Sequence, residues 1–230
     1  MKIREILKKK KTFSFEVFPP NPQNSDINNI YDTIDALQGY SPDFISVTFK
    51  SSGDFAQNTI NLASYIKNHT KAEPLVHLTC GALDAEDIDN LADNLIKEKL
   101  ENVLALRGDI PADSNVNFLR HFQHASELME HLGSKYDFCL GGACYPEGHI
   151  ECSSLYEDIA NMKIKQDKGA EFFITQLFYD NNYYYRLVRA AKTMGINVPI
   201  VPGVMPLTSA KMFNKIMNMA GASIPFEMRV

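Results

Sequence analysis

The chain has 230 residues, a net charge of −5 and 45% hydrophobic residues. That length allows one large domain or two small ones, and the apolar fraction is too high for a disordered chain. The acidic balance lacks the basic footprint of nucleic-acid-binding domains, and no apolar run approaches the roughly 20 residues of a membrane-spanning helix. The composition therefore favours a globular protein that binds neither nucleic acid nor a membrane.

The amino terminus and the cysteines indicate a cytoplasmic protein. The start MKIREILKKKKTFSFEVF has a basic stretch, which we interpret as a solvated helix end, but it has no apolar region of the kind found in signal peptides. The four cysteines, at positions 80, 139, 144 and 152, form no CxxC pair, which argues against a zinc ribbon or a thioredoxin motif. We expect reduced thiols, most of them small core residues.

Short apolar runs rich in β-branched and aromatic residues recur along the whole chain. Their starts are about 25 to 35 residues apart, the length of a strand plus a crossover helix. Near-continuous apolar strands are typical of a parallel sheet buried on both faces. The predicted strands are 13–18, 44–49, 74–80, 102–108, 138–145, 172–178 and 198–205.

The segments between these runs carry helix signals. Residues 26–37 have apolar positions at spacings of three and four, and an acidic turn at 84–87 suits a helix start. Residues 153–168 form another amphipathic stretch, with Gly169 as its stop. Thr208 or Ser209 is expected to cap the last helix.

Alternating strands and helices fit either an open doubly wound sheet or a closed (β/α)₈ barrel. None of the 12 glycines forms the GxGxxG pattern of a dinucleotide-binding sheet, nor a P-loop. The fold class we predict is therefore α/β, a (β/α)₈ TIM barrel. A barrel of this class typically needs about 250 residues, so the eighth unit is expected to be missing. We expect residues 1–230 to form a single, C-terminally incomplete catalytic domain.

Active sites of such barrels form at the carboxyl ends of the strands. A polar set on so many consecutive strand ends is hard to explain as packing, because buried polar groups cost free energy unless they are paired. Taken alone, a histidine in an apolar strand is more often a satisfied core residue. The polar residues at or after the predicted strands are Glu16, Thr48, His77, Arg107, Asp109, Tyr145, Glu147, His149 and Gln176.

Two positions in this set suggest specific chemistry. Glu16 lies among phenylalanines in FSFEVFPP, where desolvation is expected to raise its pKa and make it a proton donor near neutral pH. Arg107 offers a fork of donors for a phosphate or carboxylate, Gly108 permits a close backbone approach, and Asp109 is suited to stabilising a cation. The alternative for Glu16 is an edge glutamate that faces water, and the alternative for Arg107 and Asp109 is an internal ion pair. A metal site is a further alternative, but the sequence contains no HxxxH or HxH spacing to support it.

In chain order, FSFEVFPP, HLTC, LRGD, YPEGH, KGAEFFITQLFYD and VPGVMP resemble the methylenetetrahydrofolate reductase family. The resemblance implies an FAD-containing barrel that uses NADH or NADPH to reduce 5,10-methylenetetrahydrofolate to 5-methyltetrahydrofolate by ping-pong hydride transfer, in one-carbon and methionine metabolism. The implied partners are the folate substrate and the nicotinamide cosubstrate. A homo-oligomer is expected, with an accessory subunit as a further option.

The resemblance also assigns roles to individual residues. Glu16 and Asp109 are similar to the family's catalytic pair, and with Gln176 they are expected to contact the folate. The expected flavin contacts are Thr48, His77, Leu106, Arg107, Gly108, Asp109, His124, Ala125, Ala143, Tyr145, His149, Asp158, Asn161, Lys165 and Ile174.

The chain departs from the family pattern at several cofactor contacts. His124 stands where a tyrosine is usual, Ile164 where a basic residue is usual, and Ile216 where a folate-side phenylalanine is usual. Two alternative functions stay open: a non-catalytic or partner-dependent flavin subunit, and a Schiff-base aldolase that would use Lys50 after the second strand.

Overall fold

The computed structural model describes residues 1–19, 28–49, 55–109, 119, 121–209 and 222–228. The chain divides into two compact units, Met1–Leu140 and Gly141–Val230, called here the first and the second unit. The expectation of a single catalytic domain stays a prediction. Residues 26 and 27 of the predicted second helix, Lys50, the helix expected after Ser209, and Ile216 lie outside the described residues.

The first unit consists of alternating strands and helices. Strands β1 to β4 pair in parallel, with Glu16 beside Ser46 and His77 beside Leu104. Its elements are α1 (Ile3–Lys9), β1 (Ser14–Val17), α2 (Asn28–Leu37), a 3-10 helix (Gln38–Tyr40), β2 (Phe44–Val47), α3 (Phe55–His69), β3 (Glu73–Thr79), α4 (Ala85–Lys97), β4 (Asn102–Leu106), α5 (Ala125–Lys135) and the first residues of β5 (Cys139–Cys144).

Valines and polar residues of these strands lie on opposite faces of the sheet. Successive side chains of a strand point to opposite faces, and residues in register on parallel neighbours share a face. Val17, Val47 and Val76 lie on one face and are all buried. The alternate positions include Glu16, Ser46 and His77, so these three polar side chains share the other face.

The second unit contains the rest of β5 and two further strands. Its remaining elements are α6 (Leu155–Asp167), β6 (Ala170–Thr175), α7 (Asn181–Thr193), β7 (Ile200–Val201) and a 3-10 helix (Phe226–Met228). Strand β7 pairs in parallel with β6 through Phe173 beside Ile200 and Ile174 beside Val201.

Strand β7 corrects the predicted run 198–205, because it has only two residues. Pro202, which follows it, has no N–H to donate to a neighbouring strand. The Gly203 N–H then donates to the Thr175 hydroxyl at 2.9 Å instead of continuing the ladder. A Cβ on Gly203 would lie 2.4 Å from the Thr175 carbonyl oxygen, so only glycine fits there.

The helix boundaries follow the sequence signals closely. Asp84 caps α4 in a capping box with Asp87, and Ser154 caps α6 by accepting from the Glu157 N–H. Helix α6 ends at Asp167, and Gly169 follows with a φ of 109°, as expected for a helix stop.

In the first unit β1 to β4 pair in chain order with helices between them, and in the second unit β6 pairs with β7 after the intervening helix α7, which is the alternating pattern of the TIM barrel predicted above. The predicted strands were mostly one to three residues too long at their carboxyl ends, where polar exit residues begin. Within the described part of the chain, no helix is long and apolar enough to span a membrane. Cys80, Cys139 and Cys144 are buried thiols, as expected.

Candidate active site

The exits of β1 to β3 bring Glu16, Ser46 and His77 together in the first unit. Glu16 Oε2 lies 3.7 Å from His77 Nε2, and Ser46 stands beside Glu16 in the strand register. Thr48 is fixed through its backbone, because its N–H donates to the Val17 carbonyl at 3.1 Å and its carbonyl accepts from the Thr59 hydroxyl at 2.9 Å. Three strand ends thus present polar groups to one small region.

Glu16 is a carboxyl group in a partly desolvated position. Although 46% of its side-chain surface is exposed, desolvation raises its pKa above the usual value, and a hydrogen bond with Ser46 opposes that rise. The direction confirms the expectation from its aromatic sequence neighbours. It is the direction that a general acid working near neutral pH requires.

His77 is buried and neutral. Only 7% of the residue is exposed, and desolvation lowers its pKa to about 4. The contact with Glu16 is therefore not an ion pair at pH 7. Among the described residues, Nε2 of His77 has no hydrogen-bond partner. With respect to the described residues, Nε2 of His77 therefore retains hydrogen-bonding capacity that a bound molecule can use.

The LRGD segment leaves β4 in a constrained turn. The Leu106 and Arg107 carbonyls accept from the backbone N–H groups of Cys80 and Gly81, at 3.1 and 2.8 Å. Gly108 has a φ of 89°, and a Cβ there would lie 3.1 Å from Thr79 Cβ. The turn therefore requires glycine, and it places Asp109 directly after β4 without a side chain at position 108.

His124 and Ala125 mark the start of α5 in the first unit. The backbone N–H of His124 lies 3.4 Å from a carboxylate oxygen of Glu127, and that of Gln123 donates to the same oxygen at 2.6 Å. His124 is the residue before the helix, and Ala125 is its first residue.

In the second unit, Asp158 and Lys165 of α6 form a buried polar cluster. Asp158 is 2% exposed, and desolvation raises its pKa against the opposing effects of Lys165 and of a backbone hydrogen bond from His149. The Lys165 ammonium donates to the Ala143 carbonyl at 2.8 Å, and desolvation lowers the pKa of Lys165. Asp158 Oδ2 has no hydrogen-bond partner within the described ranges.

The loop after β5 lies against this cluster. The rings of Tyr145 and His149 meet edge to face with centroids 4.6 Å apart. Asn161 donates to the Cys152 sulfur at 3.6 Å, and the Cys152 thiol lies 3.9 Å from Asp158 Oδ1. The second unit thus gathers the residues that the sequence placed on strand 5 and on the helix that follows it.

The end of β6 carries Ile174 and Gln176. The Ile174 carbonyl lies 3.7 Å from the Cys144 sulfur. The backbone N–H of Gln176 donates to the Cys144 carbonyl at 2.7 Å, and its side-chain oxygen accepts from the Leu177 N–H at 2.9 Å. Gln176 is half-buried and directly follows the last residue of β6.

Sequence reasoning missed Ser46 and the partner of Glu147. Ser46 lies two residues before Thr48 and on the same face, so strict alternation along β2 would have found it. Glu147 follows β5, as predicted, and it also contacts Ser223, 76 residues away. No local pattern reveals that contact.

A cavity of about 920 Å³ lies at the other edge of the first unit, beside the amino ends of the strands. It is lined by residues such as Lys9, Lys10, Asp43, His69 and Lys71. None of the predicted site residues lines it. In the part of the chain that the structure describes, no group of three or more His, Cys, Asp or Glu side chains is arranged to hold a metal ion.

Comparisons with known proteins assign the chain to a family. The family model described as methylenetetrahydrofolate reductase matches residues 2–229. The chain belongs to the methylenetetrahydrofolate reductase family. A family member from Arabidopsis thaliana, methylenetetrahydrofolate reductase (NADH) 1, is 36% identical over 241 residues, covering 99% of this chain and 40% of that protein. The chain thus spans less than half the length of the plant relatives it matches.

Bacterial family members and solved structures extend the match. The 5,10-methylenetetrahydrofolate reductase of Escherichia coli is 33% identical over 212 residues, covering 92% of this chain and 70% of that protein. A structure from Clostridium thermocellum, described as binding two copies of 5-methyl-5,6,7,8-tetrahydrofolic acid, has a TM-score of 0.66 at 18% identity and covers 98% of this chain and 76% of its own. The tryptophan synthase alpha-subunit from Pyrococcus furiosus, with a TM-score of 0.58 at 10% identity, shares the fold alone.

Proposed function

We propose that this chain catalyses the reduction of 5,10-methylenetetrahydrofolate to 5-methyltetrahydrofolate. The observation that carries the proposal is Glu16, a carboxyl group with a raised pKa at a strand exit, beside the neutral His77, whose Nε2 has no hydrogen-bond partner among the described residues. This reaction needs a proton donor for a ring nitrogen, and a protonated carboxyl group supplies one. The family match over residues 2–229 supports the same reaction.

FAD fits the residues that each unit offers. In the first unit, His77 Nε2 has no partner among described residues, and the turn at Gly108 permits a close backbone approach. In the second unit, Asp158 Oδ2 is a buried acceptor that likewise lacks a described partner. Buried polar atoms are normally paired, so these two are natural contacts for a polar ligand. FAD, when bound, would supply the hydride carrier.

The protein's own residues are proposed to bind and orient the reactants. Arg107 offers a planar fork of donors to the cofactor, and Asp158 offers an acceptor. Glu16 protonates a nitrogen of the five-membered folate ring and so assists its opening to an iminium cation. Asp109 stabilises that cation by its negative charge, and Gln176 binds the pterin.

The electron donor is proposed to be NADH. The plant relatives carry NADH in their names, and NADPH is the alternative that the sequence left open. The donor and the folate would use the site in turn, which is the ping-pong order. A non-catalytic flavin subunit is the second candidate function, favoured by His124 at a position where the family usually has tyrosine. The aldolase alternative depends on Lys50, which the structure does not describe.

The test of the proposal is the absorbance spectrum of the purified protein, followed by heat release and chromatography of the cofactor. FAD is expected, and turnover of methylenetetrahydrofolate with NADH should follow. The variant Arg107→Ala should retain less FAD, whereas Arg189→Ala, on the exposed surface of α7, should retain as much as the wild type. FMN, or no flavin at all, would contradict the assignment, and bound FAD without folate turnover would favour the flavin subunit.

A further inference from the structure

Glu147 is held by a residue from a distant segment of the second unit. The Ser223 backbone N–H donates to Glu147 Oε1 at 2.9 Å, and the Ser223 hydroxyl donates to Oε2 at 2.5 Å. Both oxygens of the carboxylate are therefore occupied by the same residue. A two-point contact to a charged group is stronger than a neutral hydrogen bond and also fixes orientation.

The contact is anchored on the Ser223 side. Its neighbours Ala222 and Ile224 are both buried, so the backbone at Ser223 is held by packing. The Ser223 hydroxyl oxygen also lies 3.4 Å from the Tyr183 hydroxyl of α7. A side chain that binds Ser223 is thus tied to a fixed part of the second unit.

On the other side, Glu147 belongs to a tight turn. The Gly148 N–H donates to the Tyr145 carbonyl at 3.1 Å, and Gly148 has a φ of 91°. The next residue, His149, accepts from the Cys152 N–H at 2.9 Å and gives a backbone hydrogen bond to the buried carboxyl group of Asp158. A displacement of Glu147 would therefore move His149, two residues later, and so disturb its backbone hydrogen bond to Asp158.

We propose that Glu147 and Ser223, together called the loop clamp, position the loop after β5 and thereby hold Asp158 and His149 in the geometry that binds the flavin. Glu147 is in this view a positioning residue and not a proton donor, because both of its oxygens accept hydrogen bonds from Ser223. The position of the loop after β5 depends only on contacts within the protein itself. The effect on flavin affinity rests on the proposed function.

The first measurement needs no flavin. Amide hydrogen exchange of residues 145–152 is followed in the full chain without added FAD. Glu147→Gln and Ser223→Ala should each speed exchange in this segment by about tenfold, the scale of one hydrogen bond to a charged group. Because the two residues act through one contact, the double variant should exchange no faster than the faster single variant.

Matched variants separate the clamp from a general effect. Ser223→Thr keeps the hydroxyl and should restore wild-type exchange. Glu227 lies in the short 3-10 helix a few residues after Ser223 and is exposed. Glu227→Gln also removes one carboxylate, and it should leave the exchange of residues 145–152 unchanged. Unchanged exchange in both single variants, or fully additive effects in the double variant, would overturn the clamp.

The second measurement is the FAD dissociation constant of the same variants. Glu147→Gln and Ser223→Ala should weaken FAD binding by about tenfold, with kcat at saturating FAD close to the wild-type value. If the wild type binds no FAD, the proposed function fails, whereas the exchange result still decides the clamp. Faster exchange with unchanged FAD affinity would overturn the link to the flavin, and a slow folate step with normal FAD affinity would make Glu147 an acid instead.

Discussion

Glu16 in the first unit and Asp158 in the second are carboxyl groups whose pKa values are both raised by desolvation. Their surroundings differ. Asp158 is almost fully buried, and Lys165 and a backbone N–H of His149 stabilise its charged form. Glu16 is half exposed, and its Oε2 lies 3.7 Å from Nε2 of the neutral His77.

Two carboxyl groups can therefore have different roles because their surroundings differ. A carboxyl group with cationic and N–H neighbours has partners that stabilise its charged form, which suits it to act as an anchor. A carboxyl group with a neutral neighbour and access to solvent can take up a proton and release it. We therefore expect changes at Glu16 to affect rate, and changes at Asp158 to affect binding.

The largest expected effect is that of Glu16→Gln, which keeps the shape and removes the acid. General acid catalysis typically contributes about 10²–10⁴-fold, so folate-dependent reoxidation of the flavin should fall by that order. Flavin reduction by NADH needs no proton for a folate nitrogen and should stay near the wild-type rate. Stopped-flow measurement of both half-reactions checks this. Equal slowing of the two would mean that Glu16 only shapes the site and would remove the contrast with Asp158.

The second prediction concerns the pH dependence that His77 gives to stability. The unfolded imidazole takes up a proton near pH 6.5, whereas folded His77 does so only near pH 4. Between these values the unfolded state binds more protons, so stability falls as the pH falls. The loss from this group amounts to roughly 3 kcal/mol by pH 4. The raised pKa values of Glu16 and Asp158 act in the opposite direction.

Urea unfolding at pH 7, 5.5 and 4.5 measures this contribution. His77→Gln should flatten the decline in unfolding free energy over that range, because the buried base is gone. His69→Gln, at the exposed end of α3, retains the contribution of His77 and serves as the control. An identical decline in His77→Gln and wild type would show that folded His77 takes up its proton at the ordinary pH near 6.5, and Glu16 would then have a charged neighbour below that pH.

The third prediction is the binding counterpart of the first. Asp158→Asn keeps the size and removes the charge, so FAD binding should weaken by about 10- to 100-fold, the range of hydrogen bonds to charged groups. At saturating FAD, both half-reactions should run near the wild-type rate. Asp167→Asn, at the exposed end of the same helix, is the matched control. A loss of rate without a loss of FAD affinity would give Asp158 the task assigned here to Glu16.

The smallest expected effects are at the two glycines of the exit turns. Gly108 and Gly148 both have positive φ, but only at Gly108 does a Cβ approach another residue closely, at 3.1 Å from Thr79 Cβ. Alanine should cost about 1–2 kcal/mol at either position and more at Gly108, because Thr79 must also shift. Thermal unfolding of Gly108→Ala, Gly148→Ala and the unobstructed Gly39→Ala gives the ranking. Equal losses at all three positions would contradict it.

The sequence by itself determined the fold class and most of the strand exits. The regularly spaced apolar runs, the acidic turn at 84–87 that begins α4, and the stop at Gly169 are local signals, and the structure confirms each of them. The direction of the pKa shift of Glu16 was also predicted correctly from the sequence. The roles of the site residues stay predictions.

Only the tertiary structure decided which polar groups are partnered. His77 and Ser46 come from different strands than Glu16, and the register that brings them together is set by long-range pairing. The shortness of β7 depends on the approach of Gly203 to Thr175, and the contact of Glu147 with Ser223 joins residues 76 positions apart. Hydrogen bonding and desolvation depend on distances in space, whereas the sequence signals used here act over at most a few turns of chain.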